Sequence, residues 1–173
     1  MRKGLLVVFT GNGKGKTTAA LGCALRALGH GCKVCMIQFV KGAWKSGELN
    51  AVKRFEDLMK VYTLGKGFMF SEEEVQQNIE SAREAWRFAK EIIGSSEYDI
   101  VILDELTYLM YYKIIDKQDV MSAILHRPPE LHLIVTGRHA SDELVEAADL
   151  VTEMKEIKHP LNNGIKCQKG IEF

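Results

Sequence analysis

The sequence predicts an α/β domain with a mostly parallel central sheet and helices on both faces, and three observations carry that expectation. Short apolar runs recur at 4–10, 33–40, 100–103 and 131–136, as strands buried on both faces do. Helix-forming stretches lie between them, and the first run passes through a glycine-rich turn straight into a helix. The length, 173 residues, fits a single domain over 1–173, one able to bury about two-thirds of its unfolded surface. With 46% hydrophobic and 27% charged residues, the composition excludes a disordered, collagenous or coiled-coil chain. Lys plus Arg and Asp plus Glu are equal at 23 each, so no global basic footprint calls for nucleic acid or a membrane surface as partner.

Each element has a local reason. Residues 4–10 (GLLVVFT) form a short apolar run bounded by glycines, hence a first strand. Its apolar core, Leu5–Phe9, is far shorter than a membrane span or signal-peptide core, so the expected location is cytoplasmic. From Lys16 to Leu28 good helix formers dominate, and Gly29 and Gly31 follow. Residues 33–40 read as a second strand, 42–47 as a polar loop and 59–64 as a third strand. Ser71 and Glu74 form a capping box; Val75, Ile79, Ala82, Trp86, Ala89 and Ile93 then mark one face of a long helix ending at Gly94. Ile100–Leu103 is a buried strand closed by Asp104-Glu105. Residues 116–125 look helical before Pro128-Pro129, and Leu131–Thr136 is a last strand before Gly137-Arg138. Four cysteines, at 23, 32, 35 and 167, are too scattered for a disulfide scaffold. The Cys32-x-x-Cys35 spacing runs into a strand, where positions three apart face opposite ways, so packed thiols are expected there.

The chemistry concentrates in Thr10-Gly11-Asn12-Gly13-Lys14-Gly15-Lys16-Thr17-Thr18, placed between strand and helix as a phosphate-binding P-loop requires. Gly11, Gly13 and Gly15 allow backbone N–H groups to approach phosphate oxygens, and the helix N-terminus adds its dipole. Lys16 can neutralise phosphate charge and the Thr17 hydroxyl can reach Mg2+. Asn12, Lys14 and Thr18 complete the nucleotide-binding set. The usual G-x-x-x-x-G-K-T pattern would begin with glycine where this chain has Thr10. Asp104 or Glu105, at a strand's carboxyl end, can hold the same Mg2+. Arg138 reads either as a further phosphate ligand or as a surface ion-pair partner. Gly65–Phe70 (GKGFMF) reads either as an apolar lip over a flat ligand or as ordinary loop packing. The five histidines (30, 126, 132, 139, 159) include no H-E-x-x-H, and no G-x-S-x-G occurs, so phosphate chemistry stands without a nucleophilic triad.

Several blocks together resemble the P-loop type of ATP:corrinoid adenosyltransferase: TGNGKGKTTAA at 10–20, IQFVKGAWKSGE at 37–48, GFMF at 67–70, VILDELTY at 101–108, VTGRHA at 135–140, and the tail from 147. The resemblance implies a RecA-like P-loop fold, a homodimer, and transfer of the 5'-deoxyadenosyl group of ATP to the Co(I) of cobalamin or a related corrinoid, with release of triphosphate. It implies ATP held in reversed orientation, a reductase partner and a place in cobalamin biosynthesis. It adds Lys41 to the ATP-binding set and gives Phe68 and Phe70 a catalytic part beside Lys16: in the family the aromatic loop displaces the lower axial ligand of Co(II) and so eases its reduction. Other members commonly carry Trp where Phe70 stands, and often an N-terminal helical extension that covers the site. Two other classes remain open on the residues alone: a kinase or ATPase acting on the γ-phosphate, and a nucleotide-gated corrinoid-binding module.

Overall fold

The computed structural model describes residues 3–40, 47–65 and 72–171, the side chains of 72–78 excepted. Among the described residues six strands form one sheet in the order β3-β2-β4-β5-β1-β6: β1 (Leu6–Thr10), β2 (Val34–Gln38), β3 (Met59–Thr63), β4 (Ile100–Asp104), β5 (His132–Thr136) and β6 (Leu150–Glu153). Every pairing is parallel. All carboxyl ends therefore share one edge, the usual ligand edge of such a sheet.

The helices are α1 (Lys16–Leu28), α2 (Gly47–Val52), α3 (Glu72–Gly94), α4 (Leu106–Tyr111), α5 (Lys117–Leu125) and α6 (Asp142–Ala147). The sheet's two faces carry separate cores. On one, Val34, Met36, Ile100, Ile102 and Ile134 meet Ala20, Ala24, Ala27 and Leu28 of α1. On the other, Cys35, Ile37, Val101, Leu103, Leu133 and Val135 meet Ala82, Ala85, Trp86, Ala89 and Ile93 of α3, with α4 to α6 beside them. This alternation is the two-residue period of a strand, and apolar residues at both phases are what a sheet covered on both faces requires.

The expected strands and the α1, α3 and α5 helices are all present. Residues 42–46 of the expected polar loop, Ser71 and the Glu74 side chain lie outside the described residues. Cys35 belongs to one core and Cys32 packs against the other; none of the four cysteines is disulfide-bonded. At the end of α1 it is Gly31 that takes the left-handed conformation (φ 73°), while Gly29 stays right-handed (φ −62°).

Four of the labelled elements have no counterpart in the sequence expectations. The α2, α4 and α6 helices have six residues each, under two turns and too short for a helical period to show. The β6 strand has four residues, all exposed, so it lacks the apolar run that marks the other strands. Tertiary contacts hold β6 through its ladder to β1 and α4 through Leu106, Leu109 and Met110 in the core, while α6 buries Leu144 behind a local Ser141 cap, whose Oγ accepts from Leu144 N–H.

Candidate nucleotide site

At the carboxyl edge, β1 delivers the P-loop. Gly11 and Gly15 take positive φ, 97° and 112°, a region costly for residues with a Cβ. A Cβ on Gly11 would also lie 2.4 Å from the Met154 carbonyl oxygen. That contact reflects an unexpected support. Just past β6, Met154 donates its N–H to the Thr10 carbonyl at 2.8 Å and accepts from Gly13 N–H at 2.6 Å, so the chain after β6 braces the loop from outside. Thr10, standing where the usual motif has glycine, accepts from Ala140 N–H through Oγ1 at 3.4 Å.

Lys16 is buried, and its Nζ donates to the Gly11 and Gly13 carbonyls at 2.9 and 2.8 Å. Burial pushes its pKa below the ordinary lysine value; Glu105 raises it, Arg138 lowers it and Asp104 raises it. An anion arriving in the loop would stabilise this ammonium, which now rests on neutral acceptors.

Asp104 ends β4 and is 1% exposed. Its Oδ1 accepts from the hydroxyls of Thr17 (2.9 Å) and Thr136 (2.7 Å), and its Oδ2 lies 3.4 Å from Gln38 Nε2. Glu105, next in the chain, turns away in the left-handed conformation (φ 61°, ψ 26°), which is uncommon for a residue with a side chain and concentrates at functional sites. Its N–H donates to Thr136 Oγ1 at 3.0 Å. Two adjacent acids thus do different things: Asp104 points beneath the loop at Thr17, while Glu105 lines the cleft above it.

The cleft, about 540 Å³, is lined by residues 12–18, Glu105 and Arg138. These members of the expected site meet in one place. Arg138 is exposed, with its carbonyl accepting from the Thr107 hydroxyl. Lys41, Phe68 and Phe70 lie outside the described residues. The cleft also draws on Glu48 of α2 and on Glu156, His159 and Ile171. These fall in the block at 37–48 and the tail from 147 that carry the family resemblance, but no local motif assigns them a chemical role, since 154–171 is nearly all exposed and lacks apolar periodicity. A larger groove, about 930 Å³, runs along α3 and the start of α5. It shares no lining residue with the cleft and is crossed by ion pairs such as Lys90–Asp119.

A hydroxyl and a carboxylate beside a phosphate site are the hard oxygen donors Mg2+ prefers, and that ion normally completes its shell with water and phosphate. Thr17 and Asp104 fit it. Among the described residues no group of three or more His, Cys, Asp or Glu could hold a metal unaided, and Mg2+ in such sites needs none.

The family model for ATP:corrinoid adenosyltransferase BtuR/CobO/CobP matches residues 2–173. A corrinoid adenosyltransferase of Sinorhizobium sp is 42% identical over 173 residues, 99% of this chain and 81% of that protein. One from Escherichia coli (strain K12) is 40% identical over 171 residues, 99% and 86% of the two chains. Among solved structures, flagellar accessory protein FlaH from Methanocaldococcus jannaschii superimposes with a TM-score of 0.50 at 13% identity, over 88% of this chain and 72% of that one. That likeness concerns the fold alone, which is RecA-like.

Proposed function

This chain belongs to the ATP:corrinoid adenosyltransferase family, transferring the adenosyl group of ATP to a corrinoid, and from that premise we propose how the cleft does it. The observation that carries the proposal is the Thr17–Asp104 hydrogen bond, which joins the two halves of a nucleotide site under one loop. The P-loop N–H groups and Lys16 bind the triphosphate, whose oxygens replace the Gly11 and Gly13 carbonyls around Nζ. Asn12, Lys14 and Thr18 bound the anion on the loop side, Arg138 and Lys41 add positive charge, and Thr17 with Asp104 holds Mg2+. The metal, when bound, offsets charge on the leaving triphosphate.

The Co(I) lone pair forms the bond to C5' of the ribose, the C5'–O bond breaks, and its electron pair leaves on the triphosphate. No proton moves at the reacting centre, so the step needs no protein base and no triad. What the protein supplies is position and charge compensation for the leaving group. ATP must then lie with C5' towards the corrinoid. Phe68 and Phe70 take the part of removing the lower axial ligand from Co(II) before an electron-donating reductase acts. Among the described residues no helix is long and apolar enough to cross a membrane; a homodimer working in the cytoplasm, in cobalamin biosynthesis, completes the reading.

Incubation with ATP, Mg2+ and chemically reduced cobalamin tests it. The expected products are inorganic triphosphate and an alkylcobalt absorbance spectrum in equal amounts. ADP with phosphate, and no cobalt–carbon product, would overturn it in favour of γ-phosphoryl chemistry.

A further inference from the structure

Strand β2 reads Val-Cys-Met-Ile-Gln and is buried at every position. Its last residue is the anomaly. Gln38 is 1% exposed, in a place where leucine would fill the volume without the desolvation cost of an amide. Both ends of that amide are engaged. The Thr63 hydroxyl donates to Oε1 at 3.1 Å, and Nε2 faces Asp104 Oδ2 at 3.4 Å. The orientation follows from chemistry, since a carboxylate only accepts and the amide NH2 must be the group that turns to it. Register makes this possible: Thr63, Gln38 and Asp104 are direct partners across β3, β2 and β4. The Gln38 backbone is tied to the same place, its carbonyl accepting from Leu64 N–H (3.0 Å) and Gly65 N–H (3.2 Å) where the chain leaves β3.

We propose that Gln38 is a positioning residue: held by Thr63, its amide fixes the Asp104 carboxylate with Oδ1 towards Thr17, and it thereby links occupancy of the metal–triphosphate site to the backbone at Leu64–Gly65. The proposal rests on the nucleotide reading above and deepens it. The Asp104 carboxylate can rotate about its last bond unless both oxygens are held. Thr17 and Thr136 hold Oδ1; Gln38 holds Oδ2. A shift of Asp104 as the metal site fills is passed through an amide whose Oε1 is held by Thr63, the last residue of β3, next to the Leu64 and Gly65 amides bound by the Gln38 carbonyl.

The experiment compares the parent with Gln38→Leu and Thr63→Val, using ATP affinity by calorimetry in Mg2+ and in EDTA, and hydrogen exchange at the Leu64 and Gly65 amides with and without Mg2+ and ATP. In the parent, Mg2+ should tighten ATP binding, and Mg2+ with ATP should slow exchange at both amides. In Gln38→Leu, affinity in EDTA should stay at the parental value, the Mg2+-dependent gain should shrink roughly tenfold, as loss of a hydrogen bond to a charged group implies, and the exchange response should disappear. Thr63→Val should show the same pattern at smaller size, and it carries the test if Gln38→Leu does not fold. Equal losses in Mg2+ and EDTA, or a retained exchange response in a folded variant, would overturn the positioning role. A parent that binds ATP without any Mg2+ dependence would instead overturn the metal site itself, and this proposal with it.

Discussion

The P-loop, residues 10–18, and the acidic limb facing it reach the same cleft by different means. Apart from the Met154 brace, the loop's shape lies in its own residues: glycines at 11 and 15 with positive φ, and a lysine folded back onto carbonyls three and five residues earlier. The acidic limb is assembled across the sheet. Asp104 is oriented by Thr17, by Thr136 on β5 and by Gln38 on β2, partners 32 to 87 residues away in sequence. A site of this kind tolerates changes at its edges in one limb and almost none at its hydrogen-bonded centre in the other, because a buried acid stripped of its donors cannot turn to water.

The largest effect should come from the loop. Lys16→Ala should lower kcat by roughly 10²–10³-fold, the scale for removing a charged donor from a developing anion, with an unchanged circular dichroism spectrum, since the Nζ hydrogen bonds seen among the described residues run to the loop's own carbonyls. Near-parental turnover would remove the loop from the reaction.

On the acidic limb the two neighbours should part company. Asp104→Asn should raise the Mg2+ concentration needed for half-maximal rate by roughly 10–100-fold, whereas Glu105→Gln should change it far less while altering KM for ATP. Equal Mg2+ titrations for both variants and the parent would make the acidic pair structural. A third comparison concerns the corrinoid side. Phe68→Ala and Phe70→Ala should impair the reaction strongly when it starts from Co(II) with a mild reductant and much less from preformed Co(I), and Phe70→Trp should preserve it. Equal losses from the two starting states would mean that the rings bind corrin without displacing its ligand.

Backbone geometry supplies a smaller effect. Gly11→Ala combines φ 97° with the Met154 carbonyl and should destabilise the fold by about 1–3 kcal/mol, read as a lower denaturant midpoint. The least should come from the far groove, where Asp119 accepts from Lys90 Nζ at 2.8 Å and Trp86 Nε1 at 2.7 Å. The Lys90 hydrogen bond holds its carboxyl below the usual range, burial opposes this, and Trp86 adds to the lowering. A depressed folded pKa stabilises above the unfolded value, and the gain is lost as pH falls through the folded one. With Asp119 nearly half exposed, Asp119→Asn should cost under about 1 kcal/mol at pH 7, and the difference in Tm from the parent should vanish in acid.

The same contrast explains what could be read in the sequence. The β1–loop–α1 unit is legible to within a residue or two because propensity, glycine placement and the stop at Leu28 are local. Asp104 and Glu105 are legible only as a pair: adjacent residues share every sequence signal, and what separates them is the left-handed turn at Glu105, held by a Thr136 that no spacing rule connects to it. The part played by Gln38 depends on strand register, which the apolar run 33–40 does not specify. The bracing of the P-loop by Met154 depends on β6, a strand whose four exposed residues carry no periodic signal.

That the two limbs serve one triphosphate is tested most directly by a double-mutant cycle on ATP affinity in saturating Mg2+, with Lys16→Ala, Asp104→Asn and their combination. If loop and acid hold the same anion and metal, the losses should be strongly non-additive, with the double variant binding little worse than the weaker single one. Losses that add in full would contradict this, placing Lys16 and Asp104 at independent sites.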